Sequence, residues 1–252
     1  MSSDTPPLVR HLPTVGEIPP DADEHVLADL YRVPDGPFVR ANMIATVDGA
    51  AWGPDGRSAS INDPADWRVF RVLRALADVV LVGAGTARQE GYTGMSRPRG
   101  LERLATAPLE LAIVTRSGQV PWATLDGPRP PLVVTGRAGA QEAGAAVGED
   151  RVLECPDGTE DGVDLRAARE ALTARGLARV LCEGGPGLLA DMLAADLVDE
   201  LCVTTSPMLA GPGPGRIVAA PRDREPGAGR ELRLGHLLSG PSGTLLARWE
   251  VG

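Results

Sequence analysis

From Phe38 to the end of the chain, short apolar runs of strand length alternate with amphipathic stretches of helix length. This alternation leaves few folds open. A strand apolar on both sides must be covered on both, and a helix between two such strands lays them parallel. FVRANMIATV, DVVLVGAG, LELAIVT, PPLVVTG, ARVLCE and ELCVTTSPML read as strands of this kind. GTLLARWEV reads as a C-terminal strand with the option of a hairpin partner. Helices are predicted over Pro64–Leu76, Ala138–Val147, Leu165–Arg175 and Pro186–Asp196. In the first of these, Pro64 occupies the first turn, and Val69, Leu73 and Leu76 share a face. The expected fold is α/β, with a mostly parallel central sheet and helices on both faces.

Residues 1–37 are rich in proline and acids and read as an extended N-terminal arm with one short helix near His25 to Tyr31. A chain of 252 residues with 43% hydrophobic content can bury one sizeable core, so residues 38–252 read as one domain. The Pro/Gly-rich stretches Gly127–Pro131 and Gly211–Gly215 read as surface loops.

The formal net charge is −9, and no run of like charges reaches five residues. Binding a nucleic-acid backbone needs clustered Lys and Arg, so that partner is excluded, while a local basic pocket for a phosphorylated small molecule stays open. Cys155, Cys182 and Cys202 stand far apart without a Cys-x-x-Cys spacing. That speaks against a zinc knuckle or redox pair and suits a reducing compartment. The N-terminus lacks an apolar signal core, and no stretch of 18 apolar residues exists. A cytoplasmic protein with no membrane partner and no metal is expected. His11, His25 and His236 fall outside every motif, and the four tryptophans receive no role. No catalytic residue can be named.

In open α/β sheets, ligands bind beyond the carboxyl ends of the strands. Two strand ends are glycine-rich. One is Val180-Leu181-Cys182-Glu183-Gly184-Gly185-Pro186-Gly187-Leu188-Leu189, a strand running straight into a helix. Glycine lets backbone approach a ligand, and the free N–H groups of a helix start favour a phosphate. The segment does not match a P-loop. The other is Leu81-Val82-Gly83-Ala84-Gly85-Thr86-Ala87-Arg88-Gln89-Glu90, where Gly83 and Gly85 are candidate cofactor contacts. The third Rossmann glycine is missing there. Two such ends in one sheet suit a dinucleotide.

A third segment runs Arg40-Ala41-Asn42-Met43-Ile44-Ala45-Thr46-Val47-Asp48-Gly49 and continues into Ser58-Ala59-Ser60-Ile61-Asn62-Asp63-Pro64-Ala65-Asp66-Trp67. The three segments, in this order and spacing, resemble the riboflavin-pathway pyrimidine reductase domain over roughly Phe38 to Val251. That resemblance implies a dihydrofolate reductase-like fold, NADPH as hydride donor, and a homodimer. It places Ala45, Ser60, Thr86, Glu90, Thr115, Arg116 and the run Gly184, Gly185, Pro186, Gly187, Leu188 and Leu189 at the cofactor. Arg116 would select the 2′-phosphate of NADPH. Asn42, Asp48, Ser58, Arg74 and Glu183 are placed at the substrate, with Arg97 near the family's substrate-phosphate arginine. The implied reaction reduces C1′ of 5-amino-6-(5-phosphoribosylamino)uracil or a related pyrimidine. Neither His-Ala-Glu nor Pro-Cys-x-x-Cys occurs, so no deaminase activity is expected, and Asn42 stands where the family carries a basic residue.

Pro64-Ala65-Asp66-Trp67 is also similar to the helix start in dihydrofolate reductases whose acid meets the pteridine ring. A carboxylate there can accept from the edge of a 2-aminopyrimidine. Asp66 is therefore a substrate candidate, and reduction of dihydrofolate or another pterin is the alternative reading. A nucleotide-binding protein without turnover is the third.

Overall fold

The computed structural model describes residues 5–21, 23–105, 107–219 and 229–252. In chain order the elements are β1 (Leu8–Leu12), β2 (Gly16–Ile18), α1 (His25–Leu30), β3 (Phe38–Thr46), α2 (Pro64–Leu76), β4 (Val79–Gly83), α3 (Ala84–Glu90) and β5 (Glu110–Val114). Then come β6 (Leu132–Thr135), α4 (Arg137–Val147), β7 (Val152–Glu154), α5 (Leu165–Ala174), β8 (Arg179–Cys182), α6 (Pro186–Ala194), β9 (Glu200–Ser206), β10 (Leu232–Ser239) and β11 (Leu245–Val251).

Among the described residues the strands form one eleven-stranded sheet, in the order β2-β1-β10-β11-β9-β3-β8-β4-β5-β6-β7. From β9 to β7 all pairings are parallel. From β9 outward through β11, β10, β1 and β2 they are antiparallel. This is the mostly parallel α/β fold that the strand–helix alternation demands. The central strands are buried throughout, with Val79, Val80, Val82, Ala112, Ile113, Val133 and Val134 each at 0% exposure. Strand β8 enters late in the chain but lies between β3 and β4, with Ala41 opposite Cys182 on one side and Leu81 opposite Cys182 on the other. The two glycine-rich strand ends are thereby neighbours.

Helix α2 follows the sequence signals closely. Asp63 is its N-cap and accepts from the Asp66 N–H at 2.9 Å, and Pro64 opens the first turn. Its inner face buries Ala65, Val69, Val72, Leu73 and Ala75. The three cysteines are free thiols in the core.

Some elements differ from the sequence reading. The run DVVLVGAG ends its strand at Gly83, and Ala84 and Gly85 already belong to α3. The N-terminal segment is no free arm. Strand β1 adds to the edge of β10, and β2 adds to β1. Its anchor is Arg68, on α2. The buried guanidinium pairs with Glu24 at 2.7 Å and donates to the backbone oxygens of Pro6 at 2.8 Å, Ile18 at 3.1 Å and Pro19 at 2.6 Å. A polar, proline-rich sequence lacks the period that marks a strand. Here a buried cation that needs acceptors draws the backbone in.

No helix among the described residues is long and apolar enough to cross a membrane. None of their His, Cys, Asp and Glu side chains group in threes that could hold a metal ion.

Removing one partner of a buried ion pair leaves the other uncompensated, at a cost of about 3–5 kcal/mol. Arg68→Ala is therefore expected to lower the urea unfolding free energy by about that amount. Parent-like stability in the variant would show that the 5–24 segment is not held in this way.

Candidate functional site

The site is organised by the contact between the ends of β4 and β8. Gly83 N–H donates to the Gly184 carbonyl at 2.8 Å. Gly184 has φ +79°, a conformation that favours glycine. A Cβ on Gly185 would lie 2.2 Å from Thr86 Oγ1, so a side chain there would require the Thr86 hydroxyl to move away. The Gly184–Gly185 peptide bond is cis. Helix α6 starts at Pro186 with Gly185 as N-cap and, among the described residues, no side-chain cap on its first amides, an arrangement suited to a ligand.

A cavity opens on each side of this contact. The first, about 390 Å³, is walled by β3 (Asn42, Met43, Ile44), by Ser58 and Asn62 of the following loop, by α2 (Asp66, Trp67, Phe70, Arg74), by Thr86 and Glu90 of α3, and by Glu183, Gly185 and Pro186. The second, about 900 Å³, holds Gly83, Gly85, Arg88, Thr115, Arg116, Asp157, Gly187 and Leu188 among its lining residues.

In the first cavity, Glu183 at the end of β8 accepts from Arg74 Nε and Nη2, both at 2.7 Å, and from the Tyr92 hydroxyl. Burial pulls the Arg74 guanidinium down, but the Glu183 charge outweighs it and holds Arg74 above its ordinary value. Arg74 also lies 4.1 Å over the Phe70 ring, which stacks on Trp67. This wall is fixed and internally neutral.

The opposite case is Asp66, 4% exposed. Its carboxylate accepts from Asn62 Nδ2 at 2.7 Å and from the Thr204 hydroxyl, and neither is a cation. Burial raises its pKa to about 6, the Thr204 hydrogen bond works against the rise, and the nearby Asp63 charge adds to it.

The remaining candidates separate clearly. Ser58 joins the cavity wall because its N–H is held by Glu90 Oε1 at 2.8 Å. Asp48 lines neither cavity. Its carboxylate accepts from the Thr46 hydroxyl and from the N–H groups of Ala210 at 3.2 Å and Gly211 at 2.8 Å, which hold its pKa near 2. The Gly211–Gly215 stretch is thus a latched loop, tied again where Ala51 N–H meets the Gly215 carbonyl at 2.7 Å. Ala45, Ser60, Gly184 and Leu189 line neither cavity, and Leu189 is wholly buried under α6. Arg97 is turned to the backbone, donating to the carbonyls of Ala75 at 2.8 Å and Ala77 at 3.0 Å and to that of Ala107.

Sequence reasoning missed Trp52, Trp67, Phe70 and Tyr92, all on the first cavity wall. They are half of the chain's eight aromatic residues. In so aromatic-poor a chain, their grouping between positions 52 and 92 was a readable signal.

The RibD C-terminal domain family matches residues 37–246. A 2,5-diamino-6-ribosylamino-4(3H)-pyrimidinone 5′-phosphate reductase from Archaeoglobus fulgidus is 27% identical over 183 residues, covering 69% of this chain and 82% of that protein. The protein of the same name from Methanothermobacter thermautotrophicus is 29% identical over 181 residues, covering 69% and 80%. A solved pyrimidine reductase-like protein from Corynebacterium diphtheriae superposes with a TM-score of 0.75 at 25% identity, covering 90% of this chain and 98% of that one. The fold and the matches define an oxidoreductase of the pyrimidine reductase kind. The chain belongs to the RibD C-terminal domain family of riboflavin biosynthesis.

The Asp66 environment carries a signed pH dependence. Between about pH 4 and 6 the folded protein keeps a proton at Asp66 that the unfolded chain has released, so this group's contribution to stability falls as pH rises. His236 acts in the opposite sense, because burial pulls its pKa down to about 4. Comparison with Asp66→Asn isolates the carboxylate. The variant is expected to gain on the parent by about 2–3 kcal/mol between pH 4 and pH 7 in urea unfolding. A difference that does not move with pH would mean that Asp66 is ionised throughout.

Proposed function

We propose that this protein reduces a ribosylaminopyrimidine 5′-phosphate at C1′ of its ribosyl group, giving the ribitylamino product, with NADPH as donor. One observation supports the reading above others. Two cavities meet at a glycine contact beside an uncapped helix start, and only one of them carries the Arg74–Glu183 pair and Asp66. A dinucleotide fits such a divide. Its pyrophosphate would rest on the α6 amides, its adenosine end would lie against Thr115, Arg116 and Gly187, and its nicotinamide end would face the first cavity. When bound, NADPH supplies the hydride, and the chain supplies orientation and electrostatics.

Each residue's part follows from its surroundings. Arg74, held by Glu183, presents a fixed N–H edge to the substrate. Asn42 and Ser58 offer neutral hydrogen-bonding groups on the facing walls. Thr86 and Glu90 keep α3 against the glycine turn and the Ser58 loop. Asp66 offers acceptors to the ring, and the relatives' named substrate carries a 2-amino group that could use them. The same reading has residues 38–252 as the reductase domain and the protein as a homodimer, as the family resemblance implies, working in the cytoplasm.

Asp66 also favours a second reading, reduction of a dihydropterin, because a buried carboxylate without a cationic partner suits any 2-aminopyrimidine edge. The test is steady-state NADPH oxidation with the pyrimidine phosphate and with dihydrofolate, on parent and Asp66→Asn. Preference for the pyrimidine phosphate supports the main reading, and preference for dihydrofolate supports the second. Oxidation of neither, with NADPH still bound, would make this a nucleotide-binding protein without turnover.

Arg116 stands exposed on the wall of the second cavity, just after β5. NADPH is expected to bind at least about tenfold more tightly than NADH, a difference of about 1.4 kcal/mol. Arg116→Ala is expected to erase the difference by weakening NADPH alone. Equal affinities for the two cofactors in the parent, measured by titration calorimetry, would remove Arg116 from this role.

A further inference from the structure

The Arg74–Glu183 pair has a third member. Tyr92 donates its hydroxyl to Glu183 Oε2, the same oxygen that accepts Arg74 Nη2 at 2.7 Å, and its ring lies 5.5 Å from the Arg74 guanidinium carbon. We propose that Tyr92 is a positioning residue for the substrate-binding wall: its hydroxyl fixes the Glu183 carboxylate, and through it the edge of Arg74 that faces the substrate. This rests on the reductase reading above for the ligand, though not for the geometry.

A bidentate pair between two long side chains is fixed within its plane but free to swing about the axis between them. The two hydrogen bonds from Arg74 lie side by side, so neither stops that swing. A third donor, arriving from another element, does. Phe70 restrains Arg74 from one face, with the guanidinium 4.1 Å from its ring. Tyr92 restrains the carboxylate. Arg74 Nε and Nη2 are both occupied by Glu183. That leaves Nη1, which has no hydrogen-bond partner among the described residues. Arg74 lines both the first cavity and a neighbouring recess of about 590 Å³.

The chain is shaped to deliver this hydroxyl. Helix α3 ends at Gly91, whose φ of +74° turns the backbone back on itself. The Tyr92 N–H then closes on the Ala87 carbonyl at 2.8 Å, which sends the ring inward toward the end of β8. Burial, reinforced by the Glu183 charge, keeps the phenol protonated, so it remains a donor wherever the enzyme works. A phenylalanine would fill the same space, so packing alone does not require the hydroxyl.

Tyr92→Phe tests this with two readouts. In the free protein, NMR of the Arg74 Nε–H is expected to show solvent exchange faster by about tenfold, the size of one hydrogen bond to a charged group. With the pyrimidine phosphate, KM is expected to rise by a similar factor while kcat and NADPH affinity stay near the parent's. Unchanged exchange overturns the proposal. So does faster exchange with unchanged KM, or a lower melting temperature with both readouts unmoved. If the parent itself does not turn over the pyrimidine phosphate, the reductase reading has failed, and the exchange measurement alone decides Tyr92.

Discussion

The close approach of two backbone turns, at Gly83 and at Gly184–Gly185, is the constraint on which the site depends. It exists because β8 lies between β3 and β4, although the chain reaches it only after β7 and α5. Any side chain at position 185 would strike Thr86. The contact therefore fixes how near α3 can come to α6, and with it the wall between the two cavities. One wall then serves two jobs. It separates a charged, aromatic cavity from an open groove, and it presents uncapped helical amides along the groove. Neither job needs a metal or a mobile element, because backbone groups held by the sheet carry both.

Helix α2 is the second organising element, and each of its faces has a separate load. Its N-cap, Asp63, also accepts from the Ser242 and Thr244 hydroxyls, which ties the β10–β11 connection to the helix start. Arg68 faces the N-terminal segment and holds it. Asp66 and Arg74 face the cavity two turns apart. The N-terminal strands, outside the family match, are therefore joined to the rest of the fold both through β10 and through Arg68 on helix α2.

Much of this was legible in the sequence. The parallel strands and their glycine ends follow from apolar runs and from residues that only a tight approach requires. The proline at the first turn and the apolar face of α2 are local signals, and they place Asp66 and Arg74 on the same helix. What escaped reading is non-local. Strands β1 and β2 owe their place to Arg68, some 50 residues away, and nothing in their own composition marks them. The family resemblance puts Asp48 at the substrate, while in the fold its carboxylate accepts from backbone amides at 210 and 211. Arg97, loosely aligned with the family's substrate-phosphate arginine, donates to the carbonyls of Ala75 and Ala77 while lining the recess beside Arg74. Spacing tells where a side chain starts, and the competing acceptors that decide where it ends come from elsewhere in the chain.

The charges in the first cavity divide into two kinds, and the division bears on what such a cavity can recognise. Arg74 and Glu183 neutralise each other, so their wall offers fixed hydrogen-bond geometry. Asp66 is different. With no cation to hold its charge, its proton affinity lies near 6, within reach of whatever the ligand presents. A ring bringing N–H donors would stabilise the carboxylate and release its proton, whereas a ring bringing carbonyl acceptors would keep the proton in place. A ring bound against Asp66 would therefore couple its hydrogen-bonding pattern to this one proton. A net charge of −9 over the whole chain carries no trace of this. The distinction lies in which buried charges have partners, and that is a property of the fold.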